Sequence, residues 1–168
     1  MRKILMSIKN TKGFVAVETI IVMSGVLFFF LLFISIVTYH VPRIMLEKEV
    51  QWLAQTAKIQ GGLTDKTSQP TNSDVELFKD RLEEMGYDRD SITITAKTIP
   101  SGINAIGVTP INQTGSNYIK RDSKEYIEIT VVIPSDMNLF SSPLHFFGLK
   151  TEEKNYYVIK EVVGSERW

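Results

Sequence analysis

The chain has 168 residues, with 19 basic side chains against 19 acidic ones and no cysteine. Zero net charge, without a basic stripe, argues against a nucleic-acid partner, and the missing thiols exclude disulfides, thiol chemistry, cysteine-anchored lipid and Cys-ligated metal together. Once the first 40 or so residues are set aside as leader and apolar run, the length leaves one outer domain of roughly 105 residues and no second core.

Residues 1–13 read as a basic leader, with Arg2, Lys3, Lys9 and Lys12 and no acidic residue. Residues 19–39 are 21 positions without a charge. As a helix rising ~1.5 Å per residue they reach about 31 Å, the thickness of a bilayer core, so a transmembrane helix is expected over residues 14–41. Beyond the run, Arg43 and Lys48 are mixed with Glu47 and Glu49. The charge difference predicts a single pass through a bacterial cytoplasmic membrane, N-terminus inside and C-terminal domain outside. A conventional secretory signal fits poorly, because the run is too long and its end, around Tyr39-His40-Val41-Pro42, has no small-x-small cleavage site.

Glu18 is out of keeping with its surroundings. Phe14 to Val17 before it are also apolar, so a carboxylate stands about one turn inside a hydrophobic helix. Such a group costs on the order of 3 kcal/mol at the centre of a bilayer and less near an interface. Either it snorkels to the headgroups or it has a partner. If the chain were cut after Gly13, the new amino group of Phe14 would lie one helical turn from Glu18, at i and i+4.

The string Lys12-Gly13-Phe14-Val15-Ala16-Val17-Glu18, followed by an apolar helix, resembles the class III (prepilin) leader of type IV pilins and pseudopilins. The Ala-Val-Glu within it looks closer to the TadE-like pseudopilins of Tad-type secretion systems than to major pilins. The resemblance implies cleavage after Gly13 by a membrane prepilin peptidase, a mature protein beginning at an N-methylated Phe14, and an assembly role for Glu18 as fifth mature residue. It also implies a structural rather than enzymatic protein, with other pilin-like subunits, the pilus or secretion machinery and membrane lipid as partners and no cofactor. The product would be a type IV or Tad-type filament at the cell surface. The motif covers about 30 residues. One departure is the missing Pro midway along the span, since Pro42 comes only after it; this weakens the likeness to classical major pilins and leaves the minor or Tad-type reading standing. An uncleaved single-pass anchor carrying an extracytoplasmic binding module is the alternative.

After Pro42 the pattern becomes amphipathic. Leu46, Val50, Leu53 and Ala57 recur at helical spacing until Gly61-Gly62, so an amphipathic helix over residues 42–62 is expected to continue the rod, with Pro42 disturbing the join without ending it. Its stripe is expected to pack in a core. Trp52, off the centre of the stripe, is placed to anchor at headgroups or to close the core.

Residues 63–168 are expected to form the extracytoplasmic α+β domain. Residues 63–72 read as a linker. Ser73-Asp74-Val75-Glu76 is a capping box that starts a helix over residues 74–85, with Val75, Phe78, Leu82 and Met85 on one face and Gly86 as its stop. Residues 91–99 alternate as a strand with Ile92, Ile94 and Ala96 inward; residues 125–133 repeat the pattern with Ile127, Ile129, Val131 and Ile133, and residues 156–163 are a third β-rich run. At least three strands then form an antiparallel sheet beside one further helix. Residues 100–117 are turn-rich, with room for a short strand at 103–108. Residues 134–154 hold Phe140, Leu144, Phe146, Phe147 and Leu149, a loop expected to fold over the core edge or to meet another subunit.

The closing Gly164-Ser165-Glu166-Arg167-Trp168 is similar to the ends of some TadE-like and related small membrane proteins of Gram-positive bacteria, and equally suits a terminal strand ending in a turn. Residues that carry chemistry are sparse. His40 and His145 are far apart and without metal-ligand spacing, and no phosphate loop, nucleophile elbow or zinc-protease helix occurs. The acidic group Asp80, Glu83, Glu84, Asp88 and Asp90 reads as a solvated face rather than a calcium loop.

Overall fold

The computed structural model describes residues 2–135 and 155–168, with residues 2–13 and 155 as backbone alone. Its first element, α1, covers Arg2–Gln60 and contains Pro42. The chain divides into two compact units, one holding residues 2–40 and the other residues 41–135 and 155–168 among those described.

Within the first unit, the apolar positions from Phe14 onward are mostly exposed, Phe14 by 72 % and Phe29 by 70 %. Among the described residues, one helix is long and apolar enough to cross a membrane. Its hydroxyls suit that environment: Thr19, Ser35 and Thr38 each donate to the carbonyl four residues back, on Val15, Leu31 and Ile34, at 2.8, 2.9 and 2.8 Å. These three hydroxyls are therefore satisfied without water, as a hydrocarbon solvent demands.

The second unit is built on the apolar stripe of α1. Leu46, Val50, Leu53 and Ala57 are all fully buried, which stabilises the unit by about 1.5–3 kcal/mol for each of the larger side chains. Opposite them, α2 runs Asp74–Glu84, capped by Ser73, whose Oγ accepts from the Glu76 amide at 3.2 Å. Asp74, Phe78 and Leu82 are its buried residues, whereas Met85 is 39 % exposed and serves as the C-cap. Arg81 joins the two helices, donating to Glu49 at 3.0 Å and stacking 4.1 Å from the centre of the Trp52 ring. Trp52 thus closes the edge of this core.

A short 3-10 turn, Arg89–Ser91, leads into a three-stranded antiparallel sheet ordered β1-β2-β3, with β1 Thr93–Ile99, β2 Tyr126–Ser135 and β3 Asn155–Gly164. Register brings Ala96 beside Ile129, which faces Glu161, and Ile94 beside Val131, which faces Ile159. Ile127, Ile129, Val131 and Ile133 are buried, as their alternation predicts, and Ile94 only half so. The expected α+β architecture is present: a long N-terminal helix, one further helix and an antiparallel sheet.

Two local expectations are overturned. The stretch read as a linker starts in the core, since Leu63 and Thr64 are fully buried. Thr64 Oγ1 donates to Asp74 Oδ2 at 2.6 Å and accepts from the Asp74 amide at 2.9 Å, so the nine residues between are a closed loop at the N-terminus of α2. Nor is there a strand at 103–108. That segment makes two isolated bridges instead, Asn104 to Lys97 and Ile106 to Leu63, because it crosses from the edge of β1 to the end of α1 rather than following either. The aromatic-rich loop and His145 lie outside the described residues.

The end of α1 is closed by distant parts of the chain. Gly61 and Gly62, at φ +75 and +140, both turn their amides onto Ala57 O at 2.9 Å. A Cβ at Gly61 would stand 2.5 Å from Ile119 O, so glycine is required there. The Lys58 carbonyl accepts from the Glu166 amide at 2.8 Å, and Gln60 O accepts from Arg167.

Candidate functional site

The segment that carries the candidate site is the start of the apolar helix. Gly13, Phe14 and Glu18 all fall within α1. Four residues of helix place Glu18 about 6 Å along the axis from Phe14 and nearly on the same face. Phe14 and Glu18 are both exposed, and among the described residues Glu18 has no ion pair or hydrogen bond. The local arrangement is an unpartnered carboxylate on a surface otherwise made of Val, Ile, Met and Phe. In a low-dielectric medium such a group seeks either the headgroup layer or a positive charge.

The acidic group behind α2 has a different character. Arg89 sits among it, hydrogen-bonded to Asp80 and Glu76 and 3.7 Å from Glu83, and Lys66 reaches Glu76 at 3.2 Å. Burial pushes the Glu76 carboxyl up, but hydrogen bonds from Arg89 and Lys66 and the charges of both outweigh it and leave the group below its ordinary value. This cluster is a set of ion pairs that ties the 3-10 turn to α2. Among the described residues, no three His, Cys, Asp or Glu side chains come together to hold a metal ion.

The C-terminal tail follows the end of β3 at Gly164, in keeping with a terminal strand that stops there, but its long-range contacts were not legible in the sequence. Ser165 is buried and donates to Ile119 O at 2.6 Å. Arg167 donates to the carbonyls of Gln60, Thr109 and Pro110 while its guanidinium lies 3.8 Å from the centre of the Tyr118 ring. Trp168 in turn receives Arg121 at 4.6 Å and is 76 % exposed. A sequence signal for this exists only after the fact: an Arg beside a terminal aromatic is placed to cap carbonyls, but nothing local says whose.

Compared with family models, curated proteins and solved structures, the chain matches none.

Proposed function

We propose that this chain is a pilin-like (pseudopilin) structural subunit, inserted in the cytoplasmic membrane through residues 14–41, cut after Gly13 and then assembled into, or priming, a type IV or Tad-type filament. The observation that carries this reading is the register of four features: the basic leader ending at Lys12, Gly13, Glu18 five positions on, and the uncharged run to Tyr39. A plain membrane anchor needs the run and the leader but has no use for the other two. The long apolar helix and the three hydroxyls satisfied within it support membrane residence.

Glu18 has a task in this scheme. Before the cut, Lys9 and Lys12 are on its cytoplasmic side and it can reach toward the headgroups. The cut removes those lysines and creates an ammonium at Phe14. An unmatched carboxylate and an unmatched ammonium are each costly in hydrocarbon, and a matched pair is much less so. Pairing between the Phe14 amine of one subunit and Glu18 of its neighbour sets the axial register of the helices. The partners implied are a prepilin peptidase, other pilin-like subunits, the pilus or secretion machinery and lipid.

Mass spectrometry of the protein from its own host tests the reading. A mature N-terminus at Phe14, lost on Gly13→Ala, is the expected result. An N-terminus still at Met1 in membrane and extracellular fractions alike overturns it and leaves the uncleaved anchor carrying a binding module.

A further inference from the structure

A groove of about 580 Å³ opens on the second unit between the part of α1 that follows the apolar run and the end of α2. Its walls are Pro42, Met45, Lys48, Glu49, Met85 and Tyr87. Met45 is 54 % exposed, and Val41 and Ile44 beside it are exposed as well. An exposed methionine pair is an adaptable apolar surface, able to fit chains of varied shape.

Its occupant follows from where the chain leaves the uncharged run. Pro42 is three residues beyond Tyr39, so even a fully extended backbone places it within about 11 Å of the end of the run, at whatever angle the chain emerges. The polar layer of a bilayer is roughly 5 to 8 Å deep on each side. The Pro42 side of the groove is therefore tethered within reach of the headgroup layer by its own covalent connection.

Charge points the same way. Arg43 pairs with Glu47 and Arg81 with Glu49, both at 3.0 Å, while Lys48 has no ion pair among the described residues. An exposed lysine at the rim of an apolar groove, with its neighbouring carboxylates already neutralised, matches an anionic headgroup attached to an acyl chain. We propose that this groove is a phospholipid site: the methionines and Pro42 take the upper part of an acyl chain, Lys48 meets the phosphate, and the second unit rests on the membrane it is tethered to. The inference rests on the membrane-spanning reading of residues 19–39 alone and does not depend on cleavage at Gly13.

The absence of cysteine makes the test direct, because any single cysteine is a unique labelling site. Met85→Cys and Leu77→Cys, at two positions of equal exposure in the unsubstituted chain, 39 % each, are labelled with a fluorescent thiol probe. The full chain is reconstituted in vesicles of phosphatidylcholine and phosphatidylglycerol, some of it brominated near the top of the acyl chains. The expected result is quenching by brominated lipid about twofold stronger at Met85 than at Leu77, with the difference lost when Lys48→Glu is added. Equal quenching at the two positions overturns the site. So does a Met85 label shielded from brominated lipid and aqueous iodide alike, which would mean that a second copy of the chain fills the groove. A difference that survives Lys48→Glu overturns the phosphate contact. A chain that fails to enter the vesicles overturns the span. Because the vesicles contain no peptidase, none of these outcomes bears on processing.

Discussion

Arg167 Nη1 donates to the backbone carbonyl of Gln60 at 3.0 Å across 107 positions of sequence. Helix ends leave their last carbonyls unpaired, and here one guanidinium serves that carbonyl together with those of Thr109 and Pro110. Arg167→Ala is expected to destabilise the second unit by about 1–3 kcal/mol, since partly buried acceptors lose a charged donor. Arg167→Lys should recover only part of the loss, because a single ammonium lacks the planar fork that spans three carbonyls. Urea unfolding of the two variants beside the parent chain measures this, and equal midpoints for all three would show that water replaces the guanidinium freely.

The second unit should fold without the span, provided that it starts early enough. A chain from Val41 onward keeps Leu46, Val50, Leu53 and Ala57, all fully buried, whereas a chain from Leu63 onward loses them. Removing three large apolar side chains and an alanine from one core costs as much as the about 5–15 kcal/mol that holds a typical domain together. Circular dichroism is expected to show a cooperative melt for the first and none for the second. A cooperative melt from the shorter chain would mean that the stripe of α1 is dispensable.

Acid should weaken the unit through Glu76. Its folded value lies below the ordinary 4.5, so its contribution is fully present above that pH and is lost as pH falls through the folded value. The side chain is 24 % exposed, and an effect of about 0.5–1 kcal/mol is reasonable for paired charges partly open to water. Glu76→Gln should therefore be less stable than the parent at pH 7 and converge with it as pH falls through the lowered folded value. A stability gap that does not narrow with acid would assign the loss to packing instead.

Glu18 offers the sharpest separation of charge from size. Under the proposed pairing, Glu18→Gln and Glu18→Ala should insert and be cut normally yet fail to be incorporated, while Glu18→Asp keeps part of the function. The assay is filament or secretion output in a host that carries the remaining machinery. Assembly of Glu18→Gln at parental levels would return this carboxylate to a group that snorkels.

How much of this was legible beforehand depended on whether the information was local. The stripe from Leu46 to Ala57, the Ser73 cap and the alternation in β2 are set by residues a few positions apart, where helical and strand periods act directly. Thr64 read as linker because it is a polar residue after two glycines; its burial is set by Asp74, ten positions on. The same reason hides Arg167 and the dependence of Gly61 on Ile119, which are contacts of the finished fold. Ile94 is half-buried although its alternation matches that of Ala96, which is buried on the same strand. At the candidate site the sequence supplied nearly everything, since a leader, a glycine and one carboxylate in an apolar run are linear features.

The clasp between Arg167 and Gln60 also constrains the order in which the protein is made. A ribosome adding roughly 5–20 residues per second needs about 5 to 20 s to travel from one partner to the other. Throughout that interval α1 is complete while the donors that close its end, the Glu166 amide and the Arg167 guanidinium, have not been synthesised. The apolar run therefore emerges well before the second unit can finish folding. Under the proposed membrane reading, insertion has a time window in which no completed domain stands in its way.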